Sequence, residues 1–337
     1  MLVVLGACAR VSTDRDGSGA DGAPRPEVHA SGDTSATGDT GPRPLAWTAI
    51  DAGYLSSCGL LTDGRLVCWG DDDEVAAAPA GPVAQVSVGL WGGCWLDPAG
   101  VASCWCANPT LSTHAPCDEA PEVGGLVRVE HAVAFACAER ADATLACWGR
   151  RPGPAPDVPV LDWSIEENLG CAVVAPGDVV CWGQTSVWAL ADPDPALAPP
   201  AGLVYTQVAV GRDHACALDQ DGEIHCWGST AVQTAFPQAP PGPFVEVLAY
   251  NQVACGIRPD RTAVCWYDFP QLWDVDDVPP EADGGPSWEP PPGERWASIG
   301  LGEWDACGLT VEGEARCWMP QGDSAGEVLE LPSLDDL

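Results

Sequence analysis

The chain has 337 residues and carries 49 acidic against 14 basic side chains, a net charge of −35 at pH 7. That balance repels phosphate backbones, so nucleic acid is excluded as a partner. Every basic residue is Arg, which rules out a P-loop lysine, a Schiff-base lysine and a Ser-Lys dyad, while 46% apolar residues, 16 Trp and 17 Cys suit a packed, disulfide-bearing body.

At the N-terminus, residues 2–7 read LVVLGA and run into Cys8. Leu5, Gly6, Ala7 and Cys8 resemble a bacterial lipobox, although the apolar run is short and lacks the charged segment that a start further upstream would supply. Cysteine parity points the same way, since pairing leaves only Cys8 over, and a lipidated Cys needs no disulfide partner. The expectation is a signal remnant over 1–8 that ends at a lipid anchor on Cys8. Residues 9–45 are Gly, Ser, Thr, Asp and Pro with almost no large apolar side chain, which reads as a disordered tether. No later stretch reaches membrane-spanning length, so membrane attachment is expected through Cys8 alone.

From 46 to 337 one unit repeats. Seven cysteine pairs share one spacing: Cys58 and Cys68, Cys94 and Cys104, Cys137 and Cys147, Cys171 and Cys181, Cys216 and Cys226, Cys255 and Cys265, Cys307 and Cys317. Trp follows each second Cys, and the unit recurs every 34 to 52 residues, the range of solenoids and propellers. Eight residues before the first Cys stands an apolar residue (Ile50, Val86, Val129, Trp163, Val208, Val247, Ile299), and Gly53, Gly89, Gly211 and Gly302 end that strand in a turn. Gly64, Gly100, Gly177, Gly222 and Gly313 sit six residues after the first Cys, which predicts a hairpin with a three-residue loop and a left-handed Gly. In the first copy Leu61 and Arg65 then close the loop and Cys58 faces Cys68 at a non-hydrogen-bonded site, about 4.5 Å between α-carbons, which accepts a disulfide.

Period-two alternation sends Cys58, Leu60, Leu66 and Cys68 to one face and Leu61, Val67 and Trp69 to the other. A small sheet apolar on both faces must be sandwiched, and a ring of seven blades does that for every copy. The fold class is therefore all-β, a seven-bladed propeller. At the C-terminus, Glu327 to Leu331 reads as a strand expected to complete an incomplete blade near the N-terminus of the ring.

The unit resembles the RCC1 repeat (regulator of chromosome condensation), in the short cysteine-rich form of bacterial envelope proteins. Val208, Val210, Gly211, His214, Cys216, Ala217, Leu218, Asp221, Gly222, Cys226, Trp227 and Gly228 carry the match. Ala143 and Arg261 replace the turn Gly, and Cys106, Tyr267 and Met319 replace the Gly after Trp. The resemblance implies a seven-bladed propeller. It does not imply guanine-nucleotide exchange, because no inserted wedge is recognisable.

Candidate sites are few. Cys104, Cys106, His114 and Cys117 fit no standard zinc spacing, and the expected arrangement is a second disulfide between Cys106 and Cys117. Asp71, Asp72, Asp73 and Glu74, and the turn from Asp219 to Gly222, lack calcium-loop spacing and read as a solvated loop and an ordinary turn. His214 reads as a structural imidazole rather than a base. No catalytic set, metal or cofactor is expected. The loops that lead into each hairpin gather at one end of a propeller, and Tyr54, Trp91, Phe135, Arg212, Asn251 and Trp304 give them an interface-like mixture. The expectation is a non-enzymatic, monomeric lipoprotein of the bacterial cell envelope, at the outer membrane or cell surface, that binds a protein through those loops. The alternatives are a structural or adhesive envelope component and a carbohydrate-binding propeller.

Overall fold

Apolar residues alternating over five or six positions between turn formers dictate short antiparallel strands. The computed structural model describes residues 45–54, 56–70, 79, 81–89, 92–106, 120–121, 123–149, 153–183, 198–228, 236–267, 289–303, 305–318, 328–329, 331 and 334. These hold strands and no α-helix, arranged as seven antiparallel sheets. Blade 1 comprises β1 (Trp47–Ala52), β2 (Ser56–Leu61) and β3 (Leu66–Gly70); blade 2, β4 (Gln85–Gly89), β5 (Gly92–Leu96) and β6 (Ala102–Cys106). Blade 3 is β7 (Leu126–His131), β8 (Phe135–Arg140) and β9 (Leu145–Gly149); blade 4, β10 (Val160–Glu166), β11 (Leu169–Val174) and β12 (Asp178–Gly183). Blade 5 is β13 (Tyr205–Val210), β14 (His214–Asp219) and β15 (Ile224–Gly228); blade 6, β16 (Glu246–Tyr250), β17 (Val253–Ile257) and β18 (Ala263–Tyr267). Blade 7 adds a fourth strand: β19 (Trp296–Leu301), β20 (Ala306–Thr310), β21 (Ala315–Trp318) and β22 (Val328–Leu329).

The hairpin geometry follows the spacing. Leu61 N donates to Arg65 O at 2.9 Å, Gly64 N donates to Leu61 O at 2.9 Å, and Cys58 faces Cys68. All seven cysteine pairs are disulfides, with α-carbons 3.9 to 4.0 Å apart, slightly closer than the expected separation. Cys106 is also disulfide-bonded, while its expected partner Cys117 and the neighbouring His114 lie outside the described residues. Cys8, the 1–8 and 9–45 segments up to 44, and the acidic run from Asp71 to Glu74 lie outside them as well.

The turn position explains its own exceptions. Gly64, Gly100, Gly222 and Gly313 have φ of 74 to 87°, and Ala143 and Arg261 take the same conformation at 65° and 70°. A side-chain-bearing residue there costs about 1 to 2 kcal/mol. What holds it is a bond between blades. The turn carbonyl accepts from the chain just ahead of the next blade: Val83 N to Gly64 O, Val160 N to Ala143 O, and Trp296 N to Arg261 O, each at 2.8 Å. Equivalent bonds reach Gly100, Gly177 and Gly222.

Each blade is apolar on both faces, and each face has its own cluster. Cys58, Leu60 and Leu66 pack with Val83, Val86, Val88 and Trp105 of blade 2. Leu61, Val67 and Trp69 pack on the opposite side with Cys307, Leu309, Ala315 and Cys317 of blade 7. The ring is therefore closed, blade 1 against blade 7. The C-terminal strand corrects the sequence expectation: β22 pairs with β21, Cys317 opposite Leu329, so it extends its own blade and not the first one. The outer edge of β21 is adjacent in the chain and open for pairing, which costs less loop closure than crossing to blade 1.

Candidate binding end and central channel

The first strand of every blade lies innermost, and residues of β1, β4, β7, β10, β13, β16 and β19 line a central cavity of about 70 Å³. An innermost strand has one edge without a partner strand, so its N–H groups need other acceptors. The residue seven before the first Cys supplies them in four blades. Asp51 Oδ2 accepts from Val88 N at 3.3 Å, Ser87 Oγ from His131 N at 2.9 Å, Glu130 Oε2 from Ile165 N at 2.9 Å, and Ser164 Oγ from Val210 N at 3.3 Å. These buried polar side chains act as blade-to-blade ties. The sequence reading missed them because it followed the apolar position beside them.

Arg128 organises the largest tie. Its guanidinium pairs with Glu130, reaches Asp162 Oδ1 at 3.0 Å, donates to Trp163 O at 2.7 Å and lies 4.6 Å from the centre of the Trp163 ring. Asp162 in turn accepts from Val208 N at 3.0 Å, so three blades are joined through one cation. Burial pushes the Glu130 carboxyl up, with Arg128 acting against it.

Elsewhere burial goes uncompensated. Glu246 Oε1 is buried without a hydrogen-bond partner, and desolvation raises its carboxyl to about 8, with Arg261 opposing. Burial also holds His131 down to about 4 and His214 down to about 3. His214 stacks on Phe236 with ring centroids 3.6 Å apart, which makes it a packed imidazole as expected. The linkage signs differ. The histidine contributions are present above about 6.5 and are lost as pH falls toward their folded values, whereas the unfolded chain releases the Glu246 proton first, so its contribution is lost as pH rises toward about 8. Stability is therefore expected to decline by about 1 to 2 kcal/mol between roughly pH 6.5 and 8, and Glu246→Gln should flatten that decline in denaturant melts. An unchanged slope in the variant would place the titration elsewhere.

Because all innermost strands run the same way, the loops that follow them meet at one end. Bonds between blades knit that end: Ala134 N to Glu167 O at 3.3 Å, Arg212 N to Asn251 O at 2.8 Å, Glu303 N to Gly53 O at 3.2 Å, and Ser57 Oγ to Asp305 Oδ2 at 2.7 Å. Gly53 and Gly302 sit here because a β-carbon would meet the next blade's backbone oxygen at 2.8 and 2.4 Å. The position they occupy, five before the first Cys, reads Gly, Gly, Ala, Glu, Gly, Tyr, Gly around the ring. Its two large exceptions, Glu166 and Tyr250, line the cavity. That break in the repeat is the signal that the sequence holds for a site.

Of the expected interface residues, Arg212 is 44% exposed and its Nε lies 3.2 Å from Glu167 Oε1. Tyr54 and Asn251 are half-buried at the same end, while Trp91 and Trp304 lie outside the described residues. Phe135 is a correction. It is fully buried in the cluster with Cys137 and Trp163, because β8 already begins there and period-two alternation puts residue 135 on the same face as Cys137. The Asp219 turn holds its carboxylate internally: Oδ1 accepts from Asp221 N and Glu223 N at 2.9 and 3.0 Å, and Oδ2 sits 2.8 Å from His225 Nε2.

Residues 47–74 and 205–230 match the model of the regulator of chromosome condensation (RCC1) repeat. The chain carries RCC1 repeats. These two RCC1 repeats are blades 1 and 5, and the same disulfide-closed hairpin recurs in the other five blades. Among solved structures, the CRINKLY WD40 ectodomain of the Arabidopsis thaliana receptor kinase ACR4 is similar at 19% identity and a TM-score of 0.61, over 86% of this chain and 100% of that one. The ectodomain of the Physcomitrella patens receptor kinase CR4 is similar at 21% identity and a TM-score of 0.63, over 82% and 75%. At such identities the likeness is one of fold. No curated protein matches the chain in sequence.

Proposed function

We propose that this RCC1-repeat propeller is a non-enzymatic, monomeric protein-binding module of the bacterial cell envelope, held by a lipid on Cys8 and a tether over 9–45, with its propeller body over 46–337. The observation that carries the reading is the gathering of the loops after the innermost strands around one channel mouth, where Arg212 pairs with Glu167, its backbone bonds Asn251, and Glu166 and Glu303 stand close enough to feel its charge. Seven intra-hairpin disulfides support an oxidising, extracytoplasmic location. A rigid ring with a charged, loop-built end suits recognition, and its acidic excess suits a basic partner surface.

Capture from envelope extract tests it. Arg212→Ala is expected to reduce recovery of the retained protein about tenfold or more, as for an interface arginine, with the melting temperature almost unchanged. Trp91→Ala and Trp304→Ala, placed in the same loops by sequence, should act alike. Trp227→Ala should instead destabilise by about 3 to 5 kcal/mol, because its indole is packed inside a blade. Recovery indifferent to all three loop substitutions would remove the binding end.

A further inference from the structure

Glu166 stands apart from the other channel carboxylates. It is 8% exposed, lines the cavity, and has no hydrogen-bond partner for its carboxylate among the described residues. Asp51 and Glu130 line the same cavity but each commits an oxygen to the next blade's backbone. Burial first, and then the like charges of Glu167, Glu303 and Glu130, push the Glu166 carboxyl well above the ordinary carboxylate range, so it gains most from an arriving cation; the opposing cation is Arg212, whose Nε already sits on Glu167. Among the described residues no Arg side chain lines the cavity. His131 does, with both ring nitrogens buried and unpartnered, and as a neutral imidazole it offers one acceptor.

The donor set decides which cation fits. Among the described residues the only three His, Cys, Asp or Glu side chains that bring ligand atoms within 4.8 Å of one another are Asp305 and the disulfide-bonded Cys307 and Cys317, away from Glu166 and His131. A divalent ion draws oxygens to about 2.3 to 2.6 Å and so needs a tighter cage. An ammonium group, donating at about 2.8 Å in three directions, needs no such cage and is served by one carboxylate with a further acceptor in the same cavity. A cavity of about 70 Å³ has room for such a head-group.

We propose that the loop-end mouth of the channel receives one lysine-type ammonium group of the protein partner, with the Glu166 carboxylate as its buried counter-ion and the His131 imidazole as a second acceptor. The inference rests on the protein-binding reading and names the chemistry of its anchor. It also explains why Glu166 occupies a position where four repeats keep glycine: the larger side chain is retained at the mouth despite the cost of burying its carboxyl.

The test uses n-butylammonium, a lysine side-chain mimic, titrated calorimetrically into the full chain. Saturable binding is expected for n-butylammonium and none for n-butanol of the same shape. Glu166→Gln should weaken it at least about tenfold. Glu312→Gln, an exposed carboxylate at the hairpin end paired with Arg295, should leave it unchanged. Arg212→Ala, which removes the competing cation, should strengthen n-butylammonium binding while weakening partner capture, so the two readings fail separately. Equal binding of n-butanol, indifference to Glu166→Gln, or displacement of n-butylammonium by stoichiometric calcium would overturn the proposal. The comparison of the two probes on the unmodified chain needs no variant to fold.

Discussion

Full reduction of the disulfides is expected to abolish the near-ultraviolet tryptophan dichroism of the propeller at physiological temperature, with recovery only on reoxidation. Each bridge joins residues ten apart in sequence across one hairpin. In the chain-entropy account a loop of that size contributes about 2 to 3 kcal/mol. Domains are stable by only about 5 to 15 kcal/mol in total, so losing the seven hairpin bridges alone exceeds the margin even if the contributions add poorly. The blades cannot compensate locally, because an isolated three-stranded sheet apolar on both faces has no stable surface of its own. The first Cys of every pair is fully buried, so reduction has to be carried out in denaturant and the denaturant then removed. A reduced protein that keeps the native dichroism and melting midpoint would show that packing between blades suffices.

Arg128→Met should cost about 3 to 5 kcal/mol, the largest effect expected of a single polar substitution here. The change removes the cation that Glu130 and Asp162 share, leaving two buried carboxylates whose other oxygens are tied to Ile165 N and Val208 N. It also removes the donor to Trp163 O and the guanidinium over that ring. Met is close to Arg in length and apolar, so cavity formation adds little and the loss reports the charges. Adding Glu130→Gln to Arg128→Met should restore part of the stability in equilibrium denaturation. A single-variant cost below about 1 kcal/mol would mean that the carboxylates simply take up protons without strain on the ring.

The blade was legible because its determinants are local. The interval between Cys58 and Cys68 fixes the loop length, Gly64 fixes the turn, and alternation then assigns Leu60 and Leu61 to opposite neighbours, which is where they pack. Even Ala143 and Arg261, which depart from the turn pattern, adopt its conformation. What was not legible depends on which edge or which blade a group meets. β22 joins blade 7 because an open edge lay nearby, a tertiary choice invisible in the pattern of Glu327 to Leu331. Phe135 reads as a loop residue from its place before the first Cys, but the alternation rule, started two residues earlier, puts it beside Cys137 in the core. The ties from Asp51, Ser87, Glu130 and Ser164 occur in only four repeats, so a search for what recurs in all seven overlooks them. Glu166 and Tyr250 are hidden for the same reason, since the channel mouth is built from departures from the repeat.

Hydrogen exchange of the full-length protein with and without a captured partner tests the proposed binding end most directly. The account predicts protection in the loops around 53–54, 211–213, 251–252 and 302–303, with the hairpin turns at 62–64, 220–222 and 311–313 unaffected. Protection confined to the hairpin turns would contradict it and move the interface to the opposite end of the ring.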